Sequence, residues 1–123
     1  MKSFTTKASK TTPEIIYNEN ENKIAISGNS YPENPFLFYE PCTKLIQSLI
    51  QSKELFELEF KLEYYNTSTA KQILDFIDMI EDYYSKGGKV KATWLFKEGD
   101  DDLKENGVDF FEDCTFPTSI QSY

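Results

Sequence analysis

The sequence predicts an α/β fold, in which helices pack mainly on one face of a mixed sheet of about four to five strands. Apolar and polar residues alternate with period two from Leu55 to Tyr65 and from Lys89 to Lys97, as in strands with one buried face. Between them, apolar residues recur every three or four positions as far as Ser85, the spacing of an amphipathic helix. Strand, helix and strand in this order predict two parallel strands joined by a right-handed crossover.

One face of the sheet is expected to be open to solvent, because strands covered on both faces are apolar throughout and these alternate. The inward side chains of the first strand are predicted to be Leu58, Phe60, Leu62 and Tyr64. The outward carboxylates should lie opposite lysines of the next strand, which favours a neutralised, solvated face over a catalytic carboxylate pair. The residues concerned are Glu57, Glu59, Glu63, Lys89 and Lys91.

The segment before the first long strand predicts a hairpin and a helix. Short apolar strands at Ile15–Tyr17 and Ile24–Gly28 enclose a polar turn, which is typical of a β-hairpin. A helix is expected over Pro41–Gln51, because proline suits a first helical turn better than a helix interior. The pattern leaves open whether Pro35–Tyr39 is an earlier turn of the same helix.

The two ends of the chain are less regular. Residues 1–11 are polar and predict a flexible tail, so that residues 12–123 form a single domain. An acidic segment from Asp100 to Asp113 predicts a short helix, interrupted near Gly107, with a final extended piece after it.

Composition excludes several classes of function. All 13 basic residues are Lys, His is absent and the net charge is −8. Without His there is no imidazole base, and without Arg there is no guanidinium fork for a phosphate. The negative charge argues against nucleic acid and anionic membranes as partners. Cys42 and Cys114 form no CxxC motif and are expected to be reduced thiols.

No cofactor, metal site or membrane insertion is expected. The acidic segment fails the calcium-loop pattern, since Glu105 stands where a loop starting at Asp100 needs Gly. The first residues lack the apolar stretch of a signal peptide, and no apolar run approaches the length of about 18 residues that a spanning helix needs. A cytoplasmic protein is therefore expected.

Three consecutive hydroxyl residues, Thr67, Ser68 and Thr69, stand where the most regular strand ends and the most regular helix begins. Unpaired N–H groups and the helix dipole favour a negative group at such a position. The same residues are ordinary helix caps, and Thr69 with Gln72 fits a capping box. Local pattern alone favours the cap over a functional site.

Six motifs occur in order along the chain: Thr12–Ile15, Gly28–Asn34, Tyr64–Lys71, Trp94, Asp109–Asp113 and Phe116–Pro117. In this combination, above all in Ser-Tyr-Pro-Glu-Asn and Asn-Thr-Ser, the chain resembles the SiaC-type regulatory phosphoproteins. That bacterial family is related in fold to the STAS domains of anti-sigma-factor antagonists. The resemblance covers residues 12–117 and implies a STAS-like single domain.

The resemblance implies a non-enzymatic partner switch. In that family a cognate Ser/Thr kinase phosphorylates a hydroxyl at the start of the helix after the long strand, and a PP2C-type phosphatase removes the phosphate. The unmodified form binds and regulates an effector, which in the type member is a diguanylate cyclase. Carried over by motif, the acceptor is Thr67, which becomes phosphothreonine, and Ser68 and Thr69 are alternatives.

The partner-binding surface is expected to combine the loop after the hairpin with the hydroxyl turn. Its residues are Ser30, Tyr31, Pro32, Glu33, Asn34, Tyr65, Asn66, Ser68 and Lys71. Because no Arg can capture the phosphate internally, we expect it to act at the surface by clash and charge repulsion. Two other functions stay open: a constitutive interaction domain whose hydroxyls only cap a helix, and an enzyme with Thr67 or Ser68 as nucleophile.

Overall fold

The computed structural model describes residues 2–123 as a six-stranded sheet and three helices. The strands are β1 (Phe4–Thr6), β2 (Glu14–Asn18), β3 (Lys23–Ser30), β4 (Phe56–Tyr65), β5 (Val90–Phe96) and β6 (Thr118–Ser122). The helices are α1 (Pro35–Gln51), α2 (Thr67–Ser85) and α3 (Asp101–Phe111). The strands lie in chain order, antiparallel from β1 to β3 and parallel from β3 to β6. The mixed α/β fold is confirmed, with six strands instead of four to five.

The helices pack on one face of the sheet, and the opposite face carries charged pairs. The core side of β4 is buried at Phe56, Leu58, Phe60 and Leu62. On the open face, Lys91 Nζ lies 3.5 Å from a carboxylate oxygen of Glu57, and Lys23 Nζ lies 2.9 Å from one of Glu59. The predicted open face is confirmed, although Glu59 pairs with β3 and not with β5.

All three helices begin at one edge of the sheet, because each follows a strand of the parallel set. We call this the carboxyl edge; α1 and α2 end at the opposite, amino edge. The side chains of Asn34, Asn66 and Asp100 cap the three helices, each accepting from the backbone N–H three residues on at 3.1, 2.9 and 3.0 Å. The predicted capping box at Thr69 is therefore wrong, since α2 begins earlier and Asn66 caps it.

A β-bulge changes the direction of the side chains at the end of β4. The pairing of β3 with β4 shifts after Gly28, which leaves Glu63 as an extra residue in β4. Tyr65 then faces the core, with its ring 6.0 Å from that of Trp94. Tyr64 is 56% exposed, so the prediction that it faces inward is wrong. Period-two counting carries no signal for an inserted residue.

α1 includes the segment Pro35–Tyr39, which the sequence pattern left open. α1 already begins at Pro35, and Pro41 lies inside it. An interior proline costs about 3 kcal/mol, since it removes a helical N–H and crowds the preceding turn. The cost is offset by a buried stripe along α1, formed by Tyr39, Cys42, Leu45, Ile46 and Leu49.

α3 is continuous, so the interruption predicted near Gly107 is wrong. A Cβ atom at Gly107 would lie 2.4 Å from a ring carbon of Trp94, closer than carbon atoms approach. Trp94 is fully buried, and its ring N–H donates to the carbonyl of Leu103 at 2.9 Å. Glycine is required here because the helix passes directly over the indole ring.

Part of the predicted tail is a strand. Residues Phe4–Thr6 pair antiparallel with β2, and the Phe4 ring lies 6.1 Å from the Tyr17 ring. The flexibility of the rest of residues 1–11 stays a prediction, and Met1 lies outside the described residues. Within residues 2–123, no helix is both long enough and apolar enough to cross a bilayer.

Candidate functional site

The turn between β4 and α2 is fastened to the end of β3. The N–H of Asn66 donates to the carbonyl of Ser30 at 3.1 Å, and the carbonyl of Asn66 accepts from the N–H of Ala70 at 3.0 Å. Because β3 and β4 are parallel neighbours, the loop after β3 and the turn after β4 lie side by side at the carboxyl edge. The two polar stretches singled out in the sequence therefore share one surface.

Three buried hydroxyl groups connect these two loops. Ser30 Oγ lies 2.6 Å from the Tyr39 hydroxyl and 2.8 Å from Thr69 Oγ1, and Thr69 Oγ1 donates to the Ser30 carbonyl at 3.0 Å. Each hydroxyl has one proton, so the consistent order is Tyr39 to Ser30 Oγ, Ser30 to Thr69 Oγ1 and Thr69 to the Ser30 carbonyl. Burial raises the pKa of Tyr39 to about 12, which keeps its hydroxyl a donor.

The other two hydroxyls of the same turn point to solvent. Thr67 and Ser68, the first two residues of α2, are exposed, whereas Thr69 has no exposed surface. By helix geometry, the N–H groups of Thr67 and Ser68 have no acceptor within α2. Lys71, one turn after Thr67, is also exposed. The turn thus presents two hydroxyls, unpaired N–H groups and one ammonium group on its outer side.

The loop after β3 is held from both sides. The N–H of Tyr31 donates to the carbonyl of Thr11 at 2.8 Å, and the Tyr31 ring meets the Tyr64 ring edge-on at 5.5 Å. Glu33 and the α1 cap Asn34 are exposed, whereas Pro32 is buried.

Two residues predicted to contact a partner do not fit that role. Ser30 is fully buried and Pro32 is buried, so neither side chain offers a surface to a docking protein. They shape the loop from within. The other predicted contact residues are exposed or half-buried at the carboxyl edge, and their binding of a partner stays a prediction: Tyr31, Glu33, Asn34, Tyr65, Asn66, Ser68 and Lys71.

Comparison with known proteins identifies the family. The model of the SiaC family of regulatory phosphoproteins matches residues 6–123. The chain belongs to the SiaC family. It is 30% identical over 115 residues to an uncharacterized protein of Pseudomonas aeruginosa strain UCBPP-PA14, covering 93% of this chain and 91% of that protein.

Two solved structures of the family have the same fold. Apo-SiaC of Pseudomonas aeruginosa superposes with a TM-score of 0.90 at 27% identity, covering 98% of this chain and 99% of that one. SiaC in the complex of the diguanylate cyclase SiaD with its activator SiaC superposes with a TM-score of 0.93 at 26% identity, with the same coverage. This chain is therefore a regulatory protein of the SiaC type, as the motifs predicted.

Exposed apolar side chains accompany the hydroxyl turn in this SiaC-family protein. Phe36 and Leu37, in the first turn of α1, are 76% and 64% exposed, and Tyr64 precedes the turn. Leu74 is 46% exposed and lies on the same side of α2 as Thr67, at helical positions i and i+7. Sequence reasoning missed these residues, and the available signal was an apolar pair at Phe36–Leu37 outside the buried stripe of α1.

A shallow groove of about 300 Å³ runs between α2 and α3 at the same edge. Tyr65 and Phe110 form its floor with ring centroids 6.0 Å apart, and Leu74 forms one wall. Burial raises the pKa of the Tyr65 phenol to about 12, so it stays neutral at physiological pH. Asn106 and Asp109 line the opposite side. The carboxyl edge therefore combines apolar contact area with the exposed hydroxyls.

Groups for catalysis are sparse at this edge. The chain has no His, and within residues 2–123 no three Cys, Asp or Glu side chains come together as metal ligands. Cys42 on α1 is fully buried, and burial raises its pKa to about 12. A thiol held protonated in this way is a poor nucleophile. The described residues of this edge offer apolar contact surface and exposed hydroxyl groups.

Proposed function

We propose that this chain is a non-enzymatic switch protein, whose reversible phosphorylation at Thr67 controls binding to an effector of the diguanylate cyclase class. The observation that carries the proposal is the position of Thr67. It is exposed at the first residue of α2, amid apolar surface, in a family of regulatory phosphoproteins. The effector class is inferred from SiaC of Pseudomonas aeruginosa, which is the activator of a diguanylate cyclase in the solved complex.

The fold should tolerate a phosphate on Thr67. A phosphothreonine adds about −1.5 to −2 charges at neutral pH, and a helix N-terminus stabilises negative charge by roughly 0.3–1 kcal/mol. The unpaired N–H groups of the first turn and the Lys71 ammonium group, one turn on, favour the phosphate at this position. We expect the modified protein to keep the same fold, so that the signal is the charge itself.

The phosphate would act on a partner through desolvation and repulsion. An effector that packs on Phe36, Leu37 and Tyr64 must exclude water from the neighbouring hydroxyl turn. A dianion there loses solvation unless the partner supplies a cation, and the net charge of −8 adds repulsion toward an acidic partner. A penalty of several kcal/mol corresponds to an affinity lower by about 100-fold or more.

Among the three hydroxyls, exposure favours Thr67 and Ser68 over Thr69. A kinase must reach the oxygen, and Thr69 Oγ1 is buried and hydrogen-bonded to Ser30. Modification of Thr69 would require the first turn of α2 to open. Thr67 is preferred to Ser68 because the family motif carries the acceptor directly after Asn66.

The partners of the switch follow from this proposal. A cognate Ser/Thr kinase adds the phosphate, and a PP2C-type phosphatase removes it. The chain acts in the cytoplasm, where both enzymes and the cyclase effector find their nucleotides and substrates.

Kinase treatment tests the acceptor. Intact mass spectrometry should detect one added phosphate on the wild type, Ser68→Ala and Thr69→Val, and none on Thr67→Ala. Ser68→Ala is the matched control, because it removes the neighbouring exposed hydroxyl from the same turn. Phosphate retained on Thr67→Ala at the wild-type level would contradict the assignment.

A constitutive docking domain is the second candidate, favoured by the exposure of Phe36 and Leu37 without reference to any hydroxyl. It predicts that Thr67→Glu and phosphorylated protein bind the effector as tightly as the unmodified chain. The switch predicts that phosphorylation weakens binding, whereas both functions predict that Phe36→Ser weakens it. Calorimetric titration of the effector with these forms distinguishes the two functions.

A further inference from the structure

A cavity that the proposed switch does not use lies at the amino edge, opposite the hydroxyl turn. It has a volume of about 530 Å³ and lies between the ends of α1 and α2. Ile50, Leu55 and Tyr83 supply its apolar wall. Leu55 is 61% exposed, although it sits beside a continuous core. The volume lies within the range of about 300–1,000 Å³ that small-molecule sites occupy.

The wall of this cavity is held by the ends of the two helices. The N–H groups of Gly87 and Gly88 donate back to the last turn of α2 at 3.0 and 2.9 Å, with Gly87 at a φ of 96°. The N–H of Lys53 donates to the Ile50 carbonyl at 3.0 Å, and the Tyr83 hydroxyl donates to the Glu54 carbonyl at 2.6 Å. These donors are already engaged, so polar recognition of a ligand falls to the side chains on the rim.

The rim is cationic. Lys53, Lys86 and Lys89 line the cavity, and no carboxylate is among its lining residues. Lys86 pairs with the exposed Asp82 at 3.0 Å, a contact worth less than about 1 kcal/mol. The carboxyl ends of α1 and α2 contribute roughly −0.5 charge each, which three ammonium groups outweigh. Three lysines therefore surround apolar surface in a chain whose net charge is −8.

We propose that this amino-edge cavity binds a small organic anion with an apolar body. The carboxylate, sulfonate or phosphate group would lie among Lys53, Lys86 and Lys89, and the apolar part would cover Leu55 and Ile50. Lysines at these positions neutralise the partial negative charge at the carboxyl ends of α1 and α2. That role does not explain why an exposed leucine lies between them. The site is separate from the carboxyl edge, and it does not depend on the phosphorylation switch.

Two fluorescent probes of similar shape test the charge requirement. 8-Anilinonaphthalene-1-sulfonate carries an anionic group on an aromatic body, and N-phenyl-1-naphthylamine is its uncharged counterpart. We expect the sulfonate to bind the native protein at one site, about tenfold or more tightly than the neutral probe. Equal binding of both probes, or no saturable binding of the sulfonate, would overturn the proposal.

Amide NMR spectra locate the bound sulfonate. Gly87 and Gly88 lie in the cavity wall, whereas Gly28, Gly99 and Gly107 lie elsewhere, so the five glycine amides form an internal comparison. Shifts should be large at Gly87 and Gly88 and negligible at the other three. Shifts centred on any other glycine would place the probe outside this cavity and refute the assignment.

Lysine variants complete the test. Lys86→Gln combined with Lys89→Gln should lower the affinity for the sulfonate by about tenfold and leave the affinity for the neutral probe unchanged. The matched control combines Lys97→Gln with Lys104→Gln, which removes the same charge from exposed positions outside the cavity. Both double variants alter exposed side chains only, and their amide spectra report that the fold is intact. An equal loss of affinity in both pairs would mean a general charge effect and no site.

Discussion

Thr67 and Thr69 are the same residue type, two positions apart in one helical turn, yet their surroundings are opposite. Thr69 is fully buried and shares hydrogen bonds with Ser30, whereas Thr67 is exposed. The difference arises because the third residue of α2 faces β3 and the first residue faces solvent. One hydroxyl therefore takes part in buried hydrogen bonds, and the other is accessible from solvent.

The largest stability effect is expected at Ser30. Replacing it by Ala leaves the buried Tyr39 hydroxyl without its acceptor at 2.6 Å and removes the bond to Thr69. We expect a loss of about 2–3 kcal/mol in the free energy of unfolding, measured in urea. Ser27→Ala, on the half-buried open face of β3, is the control and should cost less than about 0.5 kcal/mol. Similar losses for both variants would contradict a special contribution of the buried hydroxyls to stability.

Alkaline pH should weaken the buried cluster next. The pKa of Tyr39 is raised by burial from 10.0 to about 12, so the folded state holds this proton more tightly than the unfolded state. Its contribution is complete below pH 10 and is lost as pH rises toward 12, at a cost of about 2 kcal/mol. The free energy of unfolding, measured in urea across this pH range, should fall less steeply for Tyr39→Phe than for the wild type. Parallel curves for the two proteins would contradict the burial of this phenol.

The helix caps should rank third. Asn66→Ala removes the side-chain acceptor of the Thr69 N–H and should cost about 1 kcal/mol. Asn34→Ala is the matched control, because it removes the same kind of cap from α1. The two losses should be similar, while Asn66→Ala alone should slow phosphorylation of Thr67 by disordering the first turn of α2. Equal phosphorylation rates for the two variants would contradict an effect of the Asn66 cap on phosphorylation of Thr67.

Removal of the exposed hydroxyls should have the smallest effect. Thr67→Ala and Ser68→Ala should each change the unfolding free energy by less than about 0.5 kcal/mol, because solvent already satisfies these groups. Thermal unfolding provides the measurement. A loss as large as that of Ser30→Ala would show that the outer hydroxyls are structural and that Thr67 and Thr69 do not differ in this respect.

Period-two and helical spacing predicted the central part of the fold. β4, α2 and β5 carry long, regular patterns, and their parallel arrangement and open face follow from those patterns. The bulge at Glu63 escaped prediction and the start of α1 at Pro35 was left open, because a register shift and an interior proline are decided by packing. The short β1 escaped because three polar-flanked residues carry no period of their own.

The sequence predicted where the candidate site lies in the fold, but it did not predict which of its side chains are buried and which are exposed. The sequence predicted that the Ser30 loop and the Thr67 turn share one surface, and the parallel pairing of β3 with β4 places both at one edge of the sheet. The sequence could not tell which hydroxyl is buried, since that depends on Tyr39 reaching Ser30 from α1. Nor could it reveal the exposed Phe36 and Leu37, whose environment depends on where α1 begins.

The affinity of the effector for the two forms of the chain tests the central claim most directly. The measurement is a calorimetric titration of a diguanylate cyclase partner with unmodified protein and with kinase-treated protein whose phosphate is mapped to Thr67. The proposed switch predicts binding of the unmodified form and an affinity lower by about 100-fold for the phosphorylated form. Equal affinities, with Thr67 fully phosphorylated, would contradict it.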